Sequence, residues 1–449
     1  MTIRRAEDKP SPVPVRARRG GEAPGVKSRY GAKPWIWTER MLTALEQGVK
    51  GGRWYSLMDK VCRIGTLLKA GLRVTGGRGK AAGVDHVTPE RYAKRLQAEV
   101  ERLLEELRSG RYRPQAIRRV YIPKPGSNEK RPLGIPTIRD RVVQAAVRDV
   151  IEPIFERGFA EHSYGFRPGR SCKDALRRVD QLLKAGYRYV VDVDLKSYFD
   201  TIPHEELMAR VSEKISDRGL LALIEMFLKQ GVLDGMEEWS PEEGTPQGAI
   251  ISPLLSNIYL DPLDHLMAAA GYEMIRYADD FVILCRTREE AEAALALVRQ
   301  WTEQARLKLH PTKTRITTHE EGFDFLGYHF LKGKRIYRFP GKKALRKLKD
   351  AIRGKTRRTD GRSLKAIIAD VNRTLRGWFE YYKHSHRTTF PELDGWIRMR
   401  LRSILRKRIK LRGRGRGRDH QRWPNAFFAG HGLFDLTTAW RLACQSSSR

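Results

Sequence analysis

Asp279 and Asp280 stand side by side in IRYADDFVILCR (275–286), between two short apolar runs, and Asp194 closes a third run, YRYVVDVD (187–194). Adjacent aspartates are common turn chemistry, because short carboxylates satisfy local backbone donors. They become more than that when a second apolar strand ends in a third aspartate. Three carboxylates with no histidine or cysteine among them make a hard oxygen site suited to Mg²⁺. Two such ions acting together would activate a primer 3′-hydroxyl and stabilise a departing pyrophosphate. Asp194, Asp279 and Asp280 are therefore the candidate catalytic and metal-binding residues.

The elements needed to bring them together can be read around them. Met274–Tyr277 and Phe281–Cys285 carry β-branched and aromatic residues at strand length, and the polar centre is short enough for a hairpin turn. From Tyr187 the order reads strand (Tyr187–Leu195), helical region (His204–Gln230), the two hairpin strands, helix (Glu289–Ala305) and strand (Thr312–Thr317). This is β-α-β-β-α-β, the split βαβ arrangement, which sets the first and third strands side by side and Asp194 opposite Asp279 and Asp280. Upstream, Arg118–Pro136 alternates like a hairpin with Pro125-Gly126 at its turn, and Lys124 and Arg131 on its arms could grip a triphosphate. An insertion, Trp239–Gly271, holds Gly244-Thr245-Pro246-Gln247-Gly248 ahead of an apolar helix. Two glycines there let backbone approach a ligand closely, although a plain loop-to-helix junction is the simpler reading of that stretch alone.

A formal net charge of +34 and a pI of 10.3 over 449 residues speak about partners, and the abundant partner that neutralises such an excess is nucleic acid phosphate. The charge is uneven: Leu331 to His420 holds 30 Lys+Arg against 7 Asp+Glu, a net +23. This stretch reads as a hairpin followed by three basic helices. Their apolar stripes fall at Leu345, Leu348 and Ile352; at Leu364, Ile367, Ile368, Val371, Leu375 and Phe379; and at Trp396, Ile397, Leu401 and Ile404. Arginines and lysines among aromatics on the opposite faces have the composition of an RNA-facing surface, and Arg376, Lys383, Arg398, Arg400, Arg402 and Arg406 are the candidate RNA-binding residues. Cys62, Cys172, Cys285 and Cys444 are scattered, which indicates neither a disulfide framework nor a zinc ribbon and fits a reducing, cytoplasmic setting. No apolar run approaches the ~18 residues of a membrane-spanning helix, so no membrane is expected, and Glu7, Asp8 and the prolines disfavour an organellar transit peptide. Met1 to about Pro34 reads as a basic disordered arm.

With these motifs in order, the chain resembles a bacterial-type group II intron-encoded reverse transcriptase and maturase. YIPKPGSNEKRPLGIPT, HSYGFRPGRS, DVDLKSYFDTIPH, GTPQGAIISPLLSNIYL, IRYADDFVILC, KLHPTKT and FDFLGY carry the likeness over about Tyr55 to Trp440. The resemblance implies an α+β right-hand polymerase with fingers, a split-βαβ palm and an α-helical thumb, followed by an α-helical basic maturase domain. Laid on this chain, it gives a basic arm over 1–54, fingers with an N-terminal extension over 55–186, palm over 187–330, thumb over 331–362, and maturase domain with a short basic tail over 363–449. It implies two Mg²⁺ ions on Asp194, Asp279 and Asp280. Lys124 and Arg131 would hold the incoming triphosphate, with Gln247 and Gly248 in the nucleotide pocket. Phe199 would stand as the 2′-OH steric gate, Lys313 behind the triphosphate, and Leu326 and Gly327 in the primer grip. The partners implied are group II intron RNA, an RNA template with a DNA primer, dNTPs and target DNA; a homodimer is left open. The paired cysteines of a C-terminal DNA endonuclease do not occur, which puts target cleavage in doubt. Two other functions compete: a non-catalytic RNA-binding splicing cofactor, and a domesticated reverse transcriptase in defence or repair.

Overall fold

The computed structural model describes residues 29–49, 51–77, 79–123, 130–411, 413, 415 and 417–446. The chain divides into two compact units, one of Met1–Ile122, Lys130–Val179 and Val191–Ile316, the other of Pro123–Glu129, Asp180–Val190 and Thr317–Arg449. In chain order the strands are β1 (Ile117–Pro123), β2 (Lys130–Ile135), β3 (Tyr189–Asp194), β4 (Val232–Asp234), β5 (Glu237–Trp239), β6 (Glu273–Tyr277), β7 (Asp280–Cys285), β8 (Arg315–Thr318), β9 (Phe323–Phe325), β10 (Tyr328–Lys332) and β11 (Ile336–Pro340). They form three sheets, ordered β2-β1-β4-β5, β6-β7-β3-β8 and β11-β10-β9. The second has the expected split βαβ order, with β3 beside β7.

The first unit is built on the helix Ile138–Glu156. It is buried on nearly every side although its sequence mixes apolar residues with charged ones, and Asp140, Gln144, Asp149 and Glu156 are buried along with the apolar positions. Val142, Val143, Ala146, Val147, Val150 and Ile151 are indeed fully buried. Thr137 caps it, accepting from Asp140 N at 3.3 Å and donating to Asp140 Oδ2 at 2.7 Å. Its buried polar side chains each capture another segment, since an unpaired polar group there would be costly. Asp140 accepts from the Tyr112 hydroxyl at 2.7 Å, Gln144 Oε1 from Ile250 N at 2.9 Å, Asp149 from Arg73 at 3.0 Å, and Glu156 from Arg167 Nε at 3.0 Å.

Two expectations need correction, and one element was unforeseen. The arm drawn over 1–54 is folded within its described part: a helix runs Glu39–Gln47, and Ile36, Trp37 and Leu45 are buried, because KPWIW supplies aromatic surface that a basic tail lacks. The single helical region His204–Gln230 is two helices, His204–Lys214 and Arg218–Leu228, separated where Asp217 caps the second by accepting from Leu220 N at 3.0 Å. The β4–β5 hairpin then adds to the β1 sheet, with β4 parallel to β1 and Ile117 opposite Val232. Its signal lay in Asp234-Gly235, a hairpin dipeptide whose glycine has φ +65.

In the second unit, one apolar core draws on Leu348 and Ile352, on Leu364 to Phe379, on Phe390 to Ile404, and on Phe428 and Leu436. No break in packing therefore falls at 362/363, where thumb and maturase domain were divided. The short basic tail is corrected as well: Asn425–Gly430 and Leu436–Ser446 are helices whose Phe428 and Leu436 are fully buried. Among the described residues, no helix is long and apolar enough to cross a membrane.

Candidate active site

β6 and β7 are joined by a two-residue turn, with Tyr277 opposite Asp280, so that Ala278 and Asp279 form the tip. Ala278 has φ +61, a conformation glycine would take more readily, and the surroundings hold it there. Arg276 is fully buried and reaches Asp264 through Nε at 2.8 and 3.0 Å, while a terminal nitrogen donates to Asn257 Oδ1 and to Ala278 O, both at 2.9 Å. Burial disfavours the guanidinium charge, but Asp264 outweighs it and Arg276 is held more firmly protonated than usual. On the free edge of β6, Arg276 N donates to His162 O at 3.0 Å and Tyr164 N to Arg276 O at 2.8 Å. Gly165 follows, so close that a Cβ there would run into Ala278 N. Arg167, bound to Glu156 and to Ser163 O at 2.8 Å, fixes that loop in turn. The motif HSYGFRPGRS is thus the backing of the aspartate turn.

β3 ends at Asp194 beside the start of β7, and the carboxylates influence one another. Burial raises the Asp279 pKa; Asp194 raises it further, while Arg131 lowers it. Asp280 keeps a solvent-exposed face yet is crowded by protein, which, with the charges of Asp192, Asp279 and Asp194, pushes its carboxyl up to about 7. Asp192 was not singled out from sequence, although alternation along β3 puts it on the same face as Asp194. Arg315 Nε lies 3.8 Å from it. Next to β3, Lys196 N donates to Lys308 O and His310 N to Asp194 O, each at 2.7 Å, and this pairing carries Lys313 Nζ to 2.7 Å from Asp194 Oδ2. Lys313, expected behind a triphosphate, is here the counter-ion of a candidate metal ligand. Among the described residues, no three acidic, histidine or cysteine side chains are drawn together tightly enough to cage an ion.

A cleft of about 340 Å³ is lined by Phe199, Asp200 and Gln247, by Gly134 of β2 and by Arg119 of β1. Its walls depend on glycine. Gly244 has φ +91 and leaves no room for a Cβ against the Phe199 and Asp200 backbone, where Thr245 N donates to Phe199 O at 2.6 Å. Gly248 has φ +111 and touches Gly134 O, while Gly134 N donates to Gln247 O at 2.6 Å. The two glycines around Pro-Gln therefore thread a loop between the Phe199 turn and β2. Gln247 Nε2 donates to Asp200 Oδ2 at 3.3 Å, and burial raises the Asp200 pKa. Arg131 is exposed on β2. Arg119 lies over the Trp239 ring at 5.1 Å and was missed because its partner is on the unforeseen β5. Lys124 lies outside the described residues.

In the second unit, Leu326 (φ +48) and Gly327 (φ +79) form the β9–β10 turn. The Tyr381 hydroxyl donates to Leu326 O at 2.8 Å, and Gly341 N donates to Gly327 O at 2.8 Å. Of the candidate RNA-binding residues, Arg376 is exposed over the Phe434 ring at 4.8 Å and Lys383 is paired with Glu380 at 2.6 Å. The other four each meet a partner within the protein. Arg402 is 2% exposed and donates to Trp423 O and Asn425 Oδ1, both at 2.9 Å. Arg398 binds Asp435 at 3.1 Å, Arg400 binds Thr356 Oγ1 and O at 2.8 Å, and Arg406 binds Asp419 at 2.8 Å. These guanidiniums staple the helix Thr389–Arg408 to its neighbours.

Comparison with known proteins adds an independent line. The family described as reverse transcriptase (RNA-dependent DNA polymerase) matches residues 122–330, and that described as group II intron, maturase-specific domain matches residues 345–423. The second match begins within the helix Lys342–Lys355. Protein YkfC of Escherichia coli (strain K12) is 39% identical, with 57% of this chain and 77% of YkfC covered. The group II intron-encoded protein LtrA of Lactococcus lactis subsp. cremoris is 44% identical over 37% of this chain and 28% of LtrA, so the match spans little more than a quarter of LtrA. A solved chain of a partial Cas6-RT-Cas1–Cas2 complex aligns at 26% identity over 55% of this chain and 41% of its own, with a TM-score of 0.36, too low to bear on the fold. Given both family matches in their order and the coverage of YkfC, the chain belongs to the family of group II intron-encoded reverse transcriptases and maturases.

Proposed function

We propose that this chain copies RNA into DNA from a primer 3′-end and binds the RNA of a group II intron to promote splicing and retrohoming, with target DNA as a further partner. The observation that supports the catalytic part is that β3, which ends in Asp194, neighbours β7, which begins at Asp280 after the Ala278–Asp279 turn. The donor set is all carboxylate oxygen, and the charge of Asp194 helps raise the pKa of both Asp279 and Asp280, the mark of an excess of negative charge that a hard divalent cation would relieve. The residues thus fit Mg²⁺, which when bound would supply activation of the primer hydroxyl and neutralisation of the departing pyrophosphate.

The chain's own residues account for the rest. Arg276 and Gly165 fix the turn that presents Asp279, so the carboxylate needs little rearrangement when substrate arrives. Arg131 and Arg119 offer planar forks to a triphosphate. Phe199, half-buried at the cleft wall, would leave no space for a ribose 2′-hydroxyl. The Gly134–Gly248 contact lets main chain rather than side chain line the cleft.

Primer extension on an RNA template tests the reading. Asp279→Asn should abolish Mg²⁺-dependent cDNA synthesis, because losing a ligand charge from such a site costs several kcal/mol of barrier, about 3 or more. Affinity for RNA should stay near that of the unaltered protein. Extension within a few-fold of the original would remove Asp279 from the catalytic site.

A further inference from the structure

The cations of the strongly basic stretch fall into two sets. Those of the helix Thr389–Arg408 just described are answered from within the protein. A second set is not: Lys332, Lys334, Arg335, Arg338 and Arg387, with Lys184, line a groove of about 620 Å³ in the second unit. The sole acidic residue of that lining, Asp180, is paired with Lys184 at 2.6 Å. Among the described residues, none of the other five has an ion-pair partner. The groove is also held in shape: β10 and β11 pair from Tyr328–Pro340 to Lys332–Ile336, and His386 N donates to Arg338 O at 2.7 Å, which fixes the loop carrying Arg387 against β11. Tyr337 packs edge-on to His386 at 4.7 Å, and Trp440 completes the lining.

Like charges collected in one concavity repel one another, and the focused potential attracts a polyanion. Arginine forks match phosphate oxygens, and aromatic rings beside them can receive a base turned out of its stack. We propose that this groove is a binding site for single-stranded or looped RNA, with the phosphate backbone along the cations and a base against Tyr337 or Trp440. The inference rests on the reading that the chain handles RNA and gives that RNA a place apart from the carboxylates.

The test is the triple variant Lys334→Ala/Arg335→Ala/Arg387→Ala. All three residues are exposed, two of them at the β10–β11 turn, so a melting curve should match the unaltered protein. Binding of labelled oligouridylate, titrated with salt, should weaken at least tenfold at low salt. With about 0.7 lost per single-strand phosphate contact, the log–log salt slope should flatten by about 2. Extension of a pre-annealed primer should stay within twofold. Unchanged affinity and slope in an extension-competent variant overturn the groove alone. Absence of extension by the unaltered protein, with groove-dependent binding intact, overturns the polymerase reading alone. Displacement of oligouridylate by inorganic tripolyphosphate at equal charge concentration would replace RNA with a small polyanion as the ligand.

Discussion

Phe199 lines the cleft, and Arg276 is hidden beneath the aspartate turn. If Phe199 limits the sugar, Phe199→Val should narrow the preference for dNTP over rNTP by tenfold or more, read as the ratio of kcat/KM values; an unchanged ratio would place the gate elsewhere. Arg276→Lys keeps the charge but loses the fork that holds Asp264 and Ala278 O together. It should lower kcat by one to two orders of magnitude with KM for dNTP nearly unchanged. Equal loss in both parameters would mean the cleft itself had collapsed. The strands carrying Asp194, Asp279 and Asp280 were legible in sequence because apolar, β-branched runs at strand length border those aspartates. Arg276 was not, since its role depends on Asp264 and Asn257, which lie on a helix 12 and 19 residues upstream.

At the scale of elements, close backbone contacts and shared carboxylates do the positioning. Gly165→Ala would press a methyl group into Ala278 N and displace the turn, so cDNA synthesis should fall by at least tenfold while the fold, followed by circular dichroism, persists. The helices Lys342–Lys355 and Leu364–Tyr382 share Asp370, which accepts from Lys355 at 2.5 Å, Arg373 at 2.9 Å and Arg362 at 3.3 Å. Those hydrogen bonds, Lys355's first, hold its pKa below the ordinary 3.8. The stabilisation is therefore present above that value and lost as pH falls through the folded one. Asp370→Asn should lower Tm by about 2–4 °C at neutral pH. The gap should hold at about pH 5 and narrow progressively as the medium is acidified below the ordinary carboxylate pKa, and a gap independent of pH would deny the ion pairs their part. The helices themselves were readable from apolar periodicity. β4 and β5 were not, because three residues give too few alternations to distinguish a strand from a loop.

For the whole molecule, charge density points to a kind of partner without singling out the residues that would meet it. A run of arginines does not disclose which are answered internally: the partners of Arg398, Arg402 and Arg406 lie 13 to 37 residues further along the chain. Replacing Arg398, Arg400, Arg402 and Arg406 together with Ala should unfold the second unit before it affects RNA specifically. Arg402→Ala alone leaves Trp423 O and Asn425 without a donor and should cost about 1–3 kcal/mol, measured by denaturant titration. A stability within 0.5 kcal/mol (roughly the noise of surface substitutions) would return Arg402 to the RNA-binding set.

The order in which the chain visits its two units sets a limit on how this protein can exchange parts. Asp180–Val190 belongs to the second unit yet is encoded between two stretches of the first. It brings Arg188, whose carbonyl accepts from His319 N at 3.0 Å, and it brings Asp180 and Lys184 to the groove. A recombination joint placed at Thr317 would carry the whole maturase-specific match and still leave one wall of the groove behind. A single joint therefore does not transfer the second unit: a graft onto another polymerase would need the 180–190 stretch exchanged together with everything after Thr317, and a C-terminal fragment made alone should be judged with the 180–190 segment supplied in trans.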